Sequence, residues 1–127
     1  MYSVVVKSVF NAAHNLRGYR GKCERLHGHN WNVEARFSSP ALNGQGMVID
    51  FKDARSALNK VIMRLDHRYL NSIPYFRKHN PSSENLARYI YETLSRSFRR
   101  SRCRLREVAV WETENSCALY SEDGTPT

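Results

Sequence analysis

Residues 2–13 alternate apolar and polar positions and are rich in valine, a period of two that predicts a half-buried strand. Residues 29–39 repeat the period, with Trp31, Val33, Ala35 and Phe37 on one side, and predict its antiparallel partner across a polar, glycine-punctuated loop over 15–26. NGQG at 43–46 marks a turn, after which the period lengthens: Phe51, Ala54, Leu58, Val61, Ile62 and Leu65 share one face of a helix that Asp50 is placed to cap. NPSSENLARYIYETLSRSF predicts a second helix, with Ser82 or Ser83 near its N-cap, Glu84 in its first turn, and Leu86, Ile90, Leu94 and Phe98 in one stripe. CRLREVAVWETENSCALYS returns to strand alternation, broken near Glu114 and Asn115. The order is ββααββ, an α+β fold in which an antiparallel four-stranded sheet of short strands carries two helices on one face. With no repeat, low-complexity tract or linker, residues 1–127 read as one domain. The outer edges of such a sheet are left unpaired, which predicts an oligomer that closes its sheets into a β-barrel.

A chain of 127 residues with 41% hydrophobic content supports a small core. No stretch approaches the roughly 20 apolar residues of a membrane span, and the first residues read as a strand rather than a signal peptide. The expectation is a cytoplasmic protein without a membrane partner. Cys23, Cys103 and Cys117 are odd in number and far apart, so reduced thiols are expected rather than a disulfide framework. Cys103 and Cys117 sit among apolar strand residues and read as packing. The formal charge of +8 predicts an anionic partner, either a small molecule carrying phosphate or a nucleic acid. Six arginines crowd SRSFRRSRCRLR, residues 95–106, which as a bare charge run reads first as a solvated helix end.

The candidate chemistry concentrates in CERLHGHN, residues 23–30. His27 and His29 stand two apart at the start of a strand, so their side chains leave the same face and can share one ion. His14 ends the first strand, and a hairpin brings it back beside them. Three neutral imidazoles with a fourth position open is the arrangement of catalytic zinc. Cys23 lies in a loop with Arg20, Lys22 and Arg25. A thiol near a metal and several cations has a lowered pKa and serves as base or nucleophile; the alternatives are a fourth zinc ligand or an idle loop cysteine. Asp66 and His67 in RLDHRYLN can join one proton relay or simply cap a helix end. Glu112 in WETEN reads equally as a ligand anchor or an exposed strand carboxylate. A different class of reading is a basic zinc-containing nucleic-acid-binding module, with the 95–106 arginines on phosphates and Tyr89, Tyr91 and Phe98 interleaved. The open coordination position and the core-like helical spacing of those aromatics oppose it.

FNAAH, CERLHGHN, VIDF, LDHRYLN, NPSSENLA and VWETENSCALY, running in that order from Phe10 to Tyr120, resemble the family of 6-pyruvoyl-tetrahydropterin synthases and the bacterial 6-carboxytetrahydropterin synthases of queuosine biosynthesis. The resemblance implies zinc held by His14, His27 and His29, with Cys23 as the catalytic cysteine. It implies Asp66 and His67 as its proton-relay partners and Glu112 as the anchor of the pterin ring. Ser83, Glu84 and Thr113 join Glu112 as substrate-binding positions on the same ground. It also implies the tunnelling fold, in which ββααββ subunits trimerise into a twelve-stranded barrel and stack into a homohexamer, a dimer of trimers with active sites between subunits. The implied substrate is 7,8-dihydroneopterin triphosphate, whose triphosphate accounts for the positive charge. Three residues separate Cys23 from His27, as in the carboxy-forming branch, where the pyruvoyl-forming branch typically has five. The implied reaction yields 6-carboxy-5,6,7,8-tetrahydropterin, acetaldehyde and triphosphate; the alternative is a 6-pyruvoyl product. Glu24 departs from the pattern by superimposing ExxHGH on CxxxHGH, which resembles a subgroup that cleaves the dihydroneopterin side chain for folate synthesis; otherwise it is a surface glutamate in a basic loop.

Overall fold

Two strands of 13 residues, β1 (Tyr2–His14) and β2 (His27–Ser39), form the hairpin on which the rest is laid; the computed structural model describes residues 1–18 and 25–122. Their register sets Phe10 opposite Trp31, Ala12 opposite His29 and His14 opposite His27. The period-two pattern decides which face is buried: Trp31, Val33, Ala35 and Phe37 are fully enclosed, and Phe10 stacks on Trp31. The expectation of short strands fails for these two, because alternation and pairing continue through His14 and His27.

Helix α1 (Phe51–Ile62) starts where the Asp50 carboxylate accepts a hydrogen bond from the Lys52 N–H. It buries Ala54, Leu58, Val61 and Ile62, and Leu65 continues the stripe beyond it. Phe51, expected on that face, is exposed; helical side chains tilt toward the N-terminus, so the first residue of the stripe leans past the packed layer. After β3 (Arg68–Tyr69) come a five-residue helix, α2 (Pro74–Lys78), and α3 (Ser83–Ser95). Ser82 caps α3 by accepting from the Asn85 N–H, and Leu86, Ile90 and Leu94 turn inward. β4 (Arg104–Thr113) and β5 (Ser116–Tyr120) close the chain as a hairpin, with the turn at Glu114 and Asn115.

The sheet has five strands among the described residues, not four antiparallel ones, in the order β3-β1-β2-β4-β5, and β3 runs parallel to β1. The extra strand arises at His67, whose φ of 57° turns the chain alongside β1. There the His67 N–H donates to the Asn11 carbonyl, and the Asn11 N–H donates to the Asp66 carboxylate. Two residues carry no alternation, so sequence periodicity cannot show such a strand. A third helix, α2, likewise replaces the expected pair; Pro74, with its φ fixed for helix and no N–H to satisfy, starts it.

Arg102, read from sequence as part of a solvated run, is a fold residue. Its guanidinium donates to Ser39 Oγ and to the carbonyls of Ala41, Met47 and Val48, at 2.7–3.1 Å. It thereby fastens the loop between β2 and α1 to the segment after α3, using the fixed fork of the arginine group. Cys103 packs as expected, whereas Cys117 is exposed on β5. It pairs with Trp111 on the sheet face opposite the helices. That outer face also shows Val5, Val9 and Leu119, beside the ion pairs Lys7–Glu34 and Arg36–Glu107. Among the described residues, no helix is long and apolar enough to cross a membrane.

Candidate metal centre and its surroundings

Strand parity places His27 and His29 on the inner face at the end of β2, and hairpin register sets His14 directly across from His27. The Nδ1 of each outer pair member is committed to a carbonyl: His14 Nδ1 donates to Pro81 O at 2.7 Å, and His27 Nδ1 donates to Arg25 O at 2.6 Å. With those protons assigned, the lone pairs of His14 Nε2 and His27 Nε2 face each other across 3.0 Å. Two lone pairs cannot hydrogen-bond to one another, and a cation between them satisfies both. His29 Nε2 is buried and has no hydrogen-bond partner among the described residues. The ligand atoms of all three histidines lie within 4.8 Å of one another. The donor set therefore fits a metal ion, which would take the lone pair of each Nε2.

Electrostatics agree. Burial holds the pKa of His14 below the ordinary imidazole value, partly opposed by its hydrogen bond with Pro81, and burial likewise lowers that of His29. Neutral imidazole is the metal-binding form. Trp31 forms the floor, its ring meeting His14 and His29 edge-on at 4.8 and 5.4 Å. Glu112, on the inner face near the end of β4, brings its carboxylate to 3.6 Å from His14 Nε2 and 3.8 Å from His29 Nε2. The strand carboxylate that sequence left open thus belongs to this centre.

The other expected site residues are distributed differently. Asp66 and His67 do pair, at 3.0 Å, and the Asp66 carboxyl is held below its ordinary value chiefly by the Asn11 N–H, with help from His67. Their attachment is to the Asn11 backbone, along the edge of β1 that faces away from β2. The exposed His67 ring lines a cleft of about 640 Å³ with Asn11, Asn30 and Arg68, and His29 borders the same cleft. No hydrogen bond or ion pair among the described residues joins this pair to the three imidazoles. Ser83 opens α3 and Glu84 is exposed in its first turn, two and three residues after the Pro81 carbonyl that orients His14. Thr113 lies at the β4–β5 turn, its hydroxyl accepting from the Asn115 N–H; it lines a cleft with Lys7, Asn32, Glu34 and Trp111 on the outer face, away from Glu112. Cys23 and Glu24 lie outside the described residues. Sequence reasoning missed the two carbonyls, of Pro81 and Arg25, that fix the tautomers; backbone acceptors have no residue signature, although Asn-Pro before a helix marks a chain held extended there.

The aromatics invoked for base stacking are occupied in packing: Tyr91 is buried with its hydroxyl on Leu105 O, Phe98 packs on Phe37, and Tyr89 packs on Tyr75 and Phe76.

A family model described as 6-pyruvoyl tetrahydropterin synthase matches residues 3–123. The chain is 34% identical over 125 residues to a 6-carboxy-5,6,7,8-tetrahydropterin synthase from Synechocystis, covering 94% of this chain and 93% of that protein. Its fold is that of a 6-pyruvoyl tetrahydropterin synthase from Caenorhabditis elegans, with TM-score 0.80 and 26% identity over 97% of this chain and 98% of the other. A Plasmodium vivax 6-pyruvoyltetrahydropterin synthase is similar at TM-score 0.75 and 25% identity, over 95% and 97% of the two chains, in the form of a variant whose catalytic glutamate is replaced by alanine.

Proposed function

This chain is an enzyme of the 6-pyruvoyl tetrahydropterin synthase family, and on that premise we propose that it converts 7,8-dihydroneopterin triphosphate to 6-carboxy-5,6,7,8-tetrahydropterin, acetaldehyde and triphosphate. The observation that carries the reading is the convergence of three Nε2 atoms and the Glu112 carboxylate on one point above Trp31. The ion proposed there is zinc, in keeping with an all-imidazole donor set that leaves a position open. When bound, zinc supplies Lewis acidity that makes a C–H beside a side-chain oxygen of the substrate easier to deprotonate.

The chain's own residues divide the remaining work. Glu112 accepts hydrogen bonds from the amide and amino groups of the pterin and so fixes the ring. Ser83 and Glu84, at the start of α3, and Thr113, in the outer-face cleft, complete the proposed substrate-binding set from separate places in the fold, in keeping with a site shared between chains. Cys23, as thiolate, takes the proton from the side-chain carbon, and the Asp66–His67 pair passes it on. The three-residue interval between Cys23 and His27 supports the carboxy-forming branch. Turnover of 7,8-dihydroneopterin triphosphate by the zinc-loaded protein, and none by the metal-free protein, is the expected result; turnover unaffected by metal removal contradicts the reading.

Because no hydrogen bond or ion pair among the described residues joins Asp66–His67 to the three imidazoles of the same chain, the pair is proposed to serve the centre of a neighbouring chain. The largely unpaired edges of β1 and β5 and the apolar outer-face residues Val5, Val9 and Leu119 support such an assembly. The protein is expected to sediment as a homohexamer or at least a trimer of the 14.8 kDa chain. A monomer with full turnover at micromolar concentration contradicts shared sites.

One observation favours a second activity. Glu24 stands beside Cys23, and the Plasmodium vivax relative has a catalytic glutamate. A second base at this position points to cleavage of the dihydroneopterin side chain, with a glycolaldehyde-type fragment as its product.

A further inference from the structure

Two asparagines outside the expected site grip the backbone that leaves His14. Asn71 Oδ1 accepts from the Asn15 N–H at 3.0 Å, and Asn71 Nδ2 donates to the Asn15 carbonyl at 2.9 Å. Two residues on, Asn80 repeats the arrangement: Oδ1 accepts from the Arg17 N–H at 3.0 Å and Nδ2 donates to the Arg17 carbonyl at 2.8 Å. A side-chain amide offers one acceptor and a donor on the same planar group. Each asparagine therefore acts on residues 15 and 17 as a neighbouring strand would, extending the ladder past the end of β1. Asn80 is itself fixed by Asn85 Nδ2, which donates to the Asn80 carbonyl. Pro81, next in the chain, accepts from His14 Nδ1. Segment 14–17 and segment 80–81 are thus tied at both ends, so the direction of the His14 ring depends on where Asn80 and Asn71 hold the two segments.

We propose that Asn71 and Asn80 are positioning residues for the metal centre, which aim His14 Nε2 by clamping the backbone that follows it, at Asn15 and Arg17, beside its hydrogen bond to Pro81. The inference rests on the reading of His14, His27 and His29 as metal ligands. Groups that orient a metal-bound histidine change metal affinity about 10- to 100-fold when removed, whereas a purely structural asparagine changes stability and leaves affinity alone.

The test is zinc affinity of the purified full chain, measured by competition with a chromogenic chelator, alongside the melting temperature of the metal-free protein. Asn80→Asp and Asn71→Asp keep the accepting oxygen and the shape while losing the donor. Asn43→Ala serves as the structural control: Asn43 Oδ1 accepts from the Gln45 and Met47 N–H groups in the loop fastened by Arg102, remote from the centre. The expected result is zinc affinity weakened about 10-fold or more in the Asn80 and Asn71 variants and unchanged in Asn43→Ala at a comparable loss of melting temperature. Wild-type affinity in both aspartate variants overturns the proposal, and so does failure of both to fold, since the clamp is then part of the general framework. His29→Ala separates the two readings: if wild type and His29→Ala bind zinc alike, the metal centre itself is wrong, whereas loss in His29→Ala with full binding by the Asn80 and Asn71 variants removes only the positioning role.

Discussion

Replacing His29 by alanine is expected to strip the protein of most of its zinc and to abolish turnover while the fold survives. His29 is the clean position for this change because its Nε2 makes no hydrogen bond among the described residues, so truncation breaks none. Its backbone stays in the β1–β2 ladder opposite Ala12, and its side chain is already partly exposed. His14 is a poorer choice. It is fully buried and bonded to Pro81, and its removal opens a cavity and orphans a carbonyl. Loss of a direct ligand should exceed the about 10- to 100-fold effect of an orienting group. Metal analysis after dialysis checks the outcome, with circular dichroism to show that the sheet remains. Full zinc retention by His29→Ala would sink the assignment of the centre.

The second large effect is expected at Cys23. If the thiolate is a base and not a zinc ligand, Cys23→Ala keeps its zinc, because the three imidazoles remain, and still binds the pterin through Glu112. It loses the rate supplied by proton transfer, about 10² to 10⁴-fold in kcat. Loss of zinc together with activity would instead make Cys23 the fourth ligand of a closed site. Nearly unchanged turnover would move proton abstraction to another group, with Glu24 first in line. Glu24→Ala separates the two proposed activities: production of the 6-carboxy product should persist in it while any side-chain cleavage disappears.

Much of the framework was legible because it is periodic. HxH on a strand forces two imidazoles onto one face, and the hairpin implied by the alternation of residues 2–13 and 29–39 brings His14 to them. The caps at Asp50 and Ser82 and the break at Glu114 and Asn115 are equally local. What stayed hidden depends on distant partners. A two-residue strand held by Asp66 and His67 against Asn11 has no pattern of its own. Arg102 looked like one cation among several until its four acceptors, on Ser39 and on the carbonyls of the loop before α1, came within reach. Cys117 sits in an apolar run, but alternation on an edge strand does not say whether the outer face is covered by the same chain. The positions of Asp66 and His67 on the far side of β1 are likewise a property of topology, since adjacency in sequence said only that the two could pair.

The most direct measurement is the identity of the organic product formed from 7,8-dihydroneopterin triphosphate by the purified zinc form, determined by mass spectrometry. The account predicts 6-carboxy-5,6,7,8-tetrahydropterin together with acetaldehyde and triphosphate. A 6-pyruvoyl product, a glycolaldehyde-type fragment as the sole outcome, or no conversion of the pterin at all would contradict it.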